Sequence, residues 1–124
     1  MRKWLIKVCD YPEISPRKFY RLKITHIEQK NKSPVMEVTV QHLSPEQEGR
    51  SHQFVLPLPV RPMNLAAQFF LASGLQTNLG AEIEPQSVVG RTILVTFSRD
   101  ETGEYHPTHF MSAKDELPNE TEKP

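Results

Sequence analysis

Residues 20–41 read YRLKITHIEQKNKSPVMEVTVQ, and two alternations on either side of a polar break decide the fold. Tyr20, Leu22 and Ile24 are apolar, with Arg21, Lys23 and Thr25 between them. That period of two puts one face of a strand in a core and the other in solvent. Gln29-Lys30-Asn31-Lys32-Ser33-Pro34 is polar and ends in proline, which reads as a turn. Met36, Val38 and Val40 then alternate with Glu37, Thr39 and Gln41, giving a second strand.

Working outward, Ser44-Pro45-Glu46-Gln47-Glu48-Gly49-Arg50 is a second loop. A third strand follows, with His52, Phe54, Leu56 and Leu58 on one face. Pro57 and Pro59 cannot donate to a ladder, so this strand ends early or lies at an edge. Between Pro62 and Gly74 the period changes: Leu65, Ala66, Phe69, Phe70 and Ser73 fall at helical spacing. Asn64 is placed to cap the start of that helix and Gly74 to close its end. Residues 84–90 read as one helical turn with Pro85 near its beginning. Ile93, Val95 and Phe97 restore strand alternation, residues 99–104 form a hairpin loop, and Tyr105 to Met111 make a last strand.

The expected class is therefore mainly β with one main helix, in the order β-β-β-α-β-β. That is the element order of a five-stranded OB-like barrel. An open antiparallel α+β sheet has the same one-dimensional signature and is the alternative. Pairing of the first strand with both the second and the fourth is the expected sign of closure.

The chain has 124 residues, 15 Lys+Arg against 15 Asp+Glu, and one cysteine. This length fits one domain, taken as 1–113, followed by a tail over 114–124. The tail has four acids, two bases and one clearly apolar residue, Leu117, so it is expected to be disordered and mildly acidic. The sequence has neither an apolar run of about 20 residues to cross a membrane nor a disulfide framework. Met1 to Cys9 starts like a signal peptide, but Lys7 interrupts its apolar stretch. A lone Cys9 fits a reducing compartment, so a cytoplasmic location is expected. Balanced charge speaks against a strongly basic nucleic-acid binder but leaves the placement of the charges open.

Catalytic constellations are absent: there is no GxSxG elbow, Walker loop or HExxH. Glu46/Glu48 and Glu82/Glu84 sit in polar loops, where solvation is their expected role. His42 and His52 flank the second turn, which a hairpin would bring together. His106 and His109 are three residues apart on the last strand, which alternation would send to opposite faces. All four read as partly exposed strand-end residues. No catalytic residue, metal or cofactor is expected.

The basic residues carry the functional reading. Arg17, Lys18, Arg21 and Lys23 gather at the first strand, the last two on its outward face. Lys30 and Lys32 occupy the first inter-strand loop, and Arg99 opens the last. In an OB barrel these two loops rim the ligand face, which would bring Lys30, Lys32 and Arg99 beside Tyr105. Positive charge along a backbone, with an aromatic ring on which bases stack, suits single-stranded nucleic acid. The outward face of strands two and three, Glu37, Thr39, Gln41, Gln53 and Val55, offers no such platform.

Several stretches resemble a family of small proteins of phages and mobile elements related to single-stranded-DNA-binding proteins. They are Tyr20 to Ile24, Glu48-Gly49-Arg50 entering a strand, the helix from Leu65 to Leu75, and Val88-Val89-Gly90-Arg91 entering the next strand. The resemblance implies an OB fold and DNA binding rather than catalysis. The expected function is thus a non-enzymatic module for single-stranded DNA or RNA, DNA foremost, acting through Arg21, Lys23, Lys30, Lys32, Arg99 and Tyr105. The alternative is a protein–protein interaction subunit or homo-oligomer using a sheet edge or the uncharged outer face.

Overall fold

The computed structural model describes residues 5–29 and 34–113. The expected tail over 114–124 lies outside them. Five antiparallel strands form one sheet: β1 (Tyr20–Glu28), β2 (Val35–His42), β3 (Ser51–Pro57), β4 (Thr92–Arg99) and β5 (Tyr105–Ser112). One helix, α1 (Leu65–Ala72), and a short 3₁₀ turn at Pro85–Val88 lie between β3 and β4. Among the described residues no helix is long and apolar enough to cross a membrane.

The sheet order is β3-β2-β1-β4-β5. β1 does pair with both β2 and β4, as expected. That pairing is not closure, however, because any interior strand has two partners. Closure would need β3 and β5 to join, and among the described residues no ladder connects them. The sheet is open, as in the alternative reading.

It nevertheless curls. β3 and β5 both run antiparallel to strands that are antiparallel to β1, so they point the same way. Their inward side chains meet: the rings of Phe54 and Phe110 lie 5.8 Å apart. Phe69 of α1 sits between the two strands, with its ring 6.4 Å from Phe54 and 5.4 Å from Phe110. The helix is thus the wedge over the gap. Asn64 caps it by accepting a hydrogen bond from the Ala67 N–H at 2.8 Å. Gly74, at φ +99°, turns the chain out of it in a conformation that side-chain-bearing residues resist.

Alternation fills the interior with Tyr20, Leu22, Ile24, Met36, Val38, Val40, Leu56, Ile93, Val95 and Phe97. A bulge between Ile24 and His26 shifts the inward position from even to odd numbers, which brings Ile27 inside. Leu94 is buried too, although it lies on the outer face, between its register neighbours Arg21 and Met111.

Both edges carry proline where it does no harm. His42 N–H donates to Arg50 C=O and Leu58 N–H to Pro34 C=O. Even-numbered residues of β3 therefore face β2, and Pro57 faces away from it. A proline there forfeits no ladder bond and removes one of the outward donors that an incoming strand would use. Pro107 holds the matching position on β5, since Asp100 N–H donates to Glu104 C=O and alternation from that pair turns residue 107 outward.

Candidate functional site

Strand direction decides which loops meet. β1, β3 and β5 begin at one end of the sheet, so the β2–β3 loop and the β4–β5 loop share that end. Gln29 and Pro34, which flank residues 30–33, belong to the other end. The two ends are separated by the length of β2 from Val35 to Gln41, about 20 Å of extended strand. Lys30 and Lys32 themselves lie outside the described residues.

Arg99 and Tyr105 do come together. They are register partners in the β4–β5 ladder, and the Arg99 guanidinium lies 5.6 Å from the centre of the Tyr105 ring. Arg50, which sequence reasoning did not place in the site, also lies over Tyr105, at 5.6 Å. Its guanidinium is 5.5 Å from the Tyr11 ring as well. Arg50 is held by hydrogen bonds from Nη1 to the Pro12 carbonyl and to Gln47 Oε1, each 3.0 Å. Lys18 adds a further cation over the Tyr20 ring at 5.5 Å. Two guanidiniums thus share Tyr105, and that of Arg50 also lies over Tyr11, which makes a short cation–aromatic layer.

The segment before β1 crosses this layer. Glu13 Oε1 accepts from Arg99 Nη1 at 2.7 Å, and the Ile14 N–H donates to Tyr105 Oη at 3.3 Å. Gln47, itself buried, donates to the Pro12 carbonyl at 2.8 Å.

Beneath the layer lies a histidine pair, His42 buried and His52 half-buried, the latter as expected of a strand end. The hairpin brings His42 and His52 together, Nε2 to Nε2 at 3.0 Å. His42 is 1% exposed rather than a partly exposed strand end, because even-numbered positions of β2 point inward. Its ring meets Tyr20 edge-on at 5.3 Å, and the His52 ring lies 4.9 Å from Phe97. A hydrogen bond between two imidazoles needs one donor and one acceptor, so the two rings cannot both be protonated while it is made. Burial lowers both pKa values to about 4, and the Arg50 charge adds to the effect.

The last hairpin is organised by Asp100. It accepts from the Thr102 hydroxyl, the Thr102 and Glu104 N–H groups, and pairs with His106 at 2.6 Å. Those hydrogen bonds, the Thr102 hydroxyl first, hold its carboxyl well below the usual range. His106 and His109 do not face opposite ways. A bulge opposite Thr96/Phe97 aligns them with Ser98 and Thr96, two positions on one face of β4.

Arg21 and Lys23 stand apart from the cluster. Arg21 is half-buried opposite Leu94, and Lys23 is exposed between Gln41 and Thr92. At the other end, a groove of about 310 Å³ runs between Ile27, Met36, Leu58, Val60, Phe70 and Ile83. It is mainly apolar, with Glu28, Gln29 and Gln86 also in its lining.

No protein-family model matches the chain, and no curated protein is similar to it.

Proposed function

We propose that this chain is a non-enzymatic module that binds single-stranded nucleic acid, DNA foremost, on a partly open OB-like barrel. The observation that carries the reading is that the guanidiniums of Arg50 and Arg99 both lie over the Tyr105 ring. Guanidinium planes stack on bases and pair with phosphates, which gives affinity without sequence preference. The strand order, the shared direction of β3 and β5, and a helix leading out of β3 support the OB-like assignment. Acids at the same end, Glu13, Glu101 and Glu104 among them, oppose a strong field, so the binding is modest and salt-sensitive.

A fluorescence-anisotropy titration of oligo-dT and oligo-U at two salt concentrations tests this. Saturable binding is expected at low salt, with log K falling by about 0.7 per phosphate neutralised for each decade of salt. Arg50→Ala with Arg99→Ala should lose at least about tenfold in affinity, since each stacked base contributes about 1–3 kcal/mol. Absence of saturable binding to either oligonucleotide at low salt sinks the proposal.

The second reading is a protein-binding surface on the outer face of β2 and β3. There Val55, 53% exposed, stands opposite Glu37 and next to the Thr39–Gln53 pair. Light scattering that finds a stable oligomer with no oligonucleotide affinity would favour it.

A further inference from the structure

Tyr11 to Ile14 take up, one by one, the contacts that a bound strand would use. Glu13 sets a carboxylate 2.7 Å from Arg99 Nη1, where a phosphate oxygen would be held. Tyr11 lays a ring against the Arg50 guanidinium, as a stacked base would. The Pro12 carbonyl accepts from Arg50 Nη1, and the Ile14 N–H reaches the Tyr105 hydroxyl. We infer that Tyr11–Glu13 is an internal mimic of the ligand, a strap that must leave the Arg50–Tyr105–Arg99 cluster before single-stranded nucleic acid enters it. The inference rests on reading that cluster as the nucleic-acid site.

The strap is built to open from one side. Ile14 is buried and the Ser15 N–H donates to Tyr20 Oη at 2.8 Å, so its C-terminal end is fixed. Residues 5–13 are all exposed, and the Glu13–Arg99 pair has side chains 82% and 52% exposed. An ion pair in that setting is weak and screened by salt. The firmer tie to release is the Pro12 carbonyl, held by Gln47 at 2.8 Å and by Arg50 at 3.0 Å. The strap therefore lowers affinity without abolishing it. The apparent dissociation constant is the intrinsic one divided by the open fraction.

The test is oligo-dT anisotropy at low salt with the full chain and two charge variants. Glu13→Gln keeps the shape of the strap and removes its anion; it should bind about two- to fivefold more tightly, the range an exposed ion pair supports. Glu101→Gln removes the same charge from the β4–β5 loop without touching the strap, and should gain less. Tyr11→Ala combined with Glu13→Gln should gain more than Glu13→Gln alone, with an unchanged circular dichroism spectrum because the Ile14 anchor remains. Equal gains from Glu13→Gln and Glu101→Gln would reduce the effect to net charge and overturn the strap. So would no gain, or a loss, from Glu13→Gln, while saturable binding by the unaltered chain leaves the site itself standing. No saturable binding by any of the proteins overturns site and strap together.

Discussion

Acidification from pH 7 to pH 5 should destabilise this domain through the His42–His52 pair. Both rings are held neutral in the fold, with pKa values near 4 against 6.5 in the open chain. Below pH 6.5 the unfolded chain takes up protons that the folded chain refuses, so stability is full above that value and falls as pH drops toward 4. For one histidine, linkage between pH 7 and pH 5 gives about 2 kcal/mol. Two independent histidines would give about 4 kcal/mol, an upper bound because the rings share one hydrogen bond. Against a total stability of about 5–15 kcal/mol, that is a large share. Urea unfolding followed by circular dichroism at the two pH values measures it. The same experiment on His42→Phe with His52→Phe, which keeps the aromatic volume, should show a loss below about 1 kcal/mol. Asp100 does not enter this window: its lowered pKa gives stability that is lost only below the ordinary carboxylate value of 3.8. A double variant as acid-sensitive as the wild type, or a wild type that loses under about 1 kcal/mol, would refute the reasoning. If the double variant fails to fold, NMR titration of the two imidazoles decides, since midpoints above pH 6 contradict a neutral pair.

Two further expectations concern the helix. Phe69→Ala removes the ring that bridges Phe54 and Phe110 and should cost about 3–5 kcal/mol in chemical denaturation; a loss under 1 kcal/mol would mean that α1 is not the wedge between β3 and β5. Asn64→Ala deletes the acceptor for the Ala67 N–H and should cost about 1 kcal/mol, whereas Asn64→Asp should retain most of the stability.

The elements were legible where one residue type has one physical use. Pro57 marked an edge, Asn64 a cap and Pro85 the start of a turn, and the alternations from Tyr20, Met36 and Ile93 marked strands and their buried faces. Bulges were not legible, because inserting one residue leaves composition and spacing almost unchanged; this is why Ile27 and the His106/His109 pair departed from simple alternation. Arg99 and Tyr105 were found because both belong to the last hairpin. Arg50 had a usable signal that was missed. In an antiparallel meander β3 starts at the same end as β1, and so does β5, which puts Arg50 beside Tyr105 and the flanks of residues 30–33 at the far end. Tyr11 and Glu13 gave no signal, because a segment without periodicity declares nothing about which surface it crosses.

The central place of β1 has a consequence for how the chain acquires its structure. Its partner on one side, β2, follows after a short turn, but its partner on the other joins Tyr20 to Val95. As the chain leaves the ribosome, the three-stranded meander is complete while one flank of β1 still waits for β4. Contacts so distant in sequence close late and slowly. A nascent or truncated chain that ends at α1 thus displays an interior strand as if it were an edge, with no proline to blunt it. The prolines at 57 and 107 protect the finished sheet; until Arg99 is made, the vulnerable border runs along Tyr20–Lys23 instead.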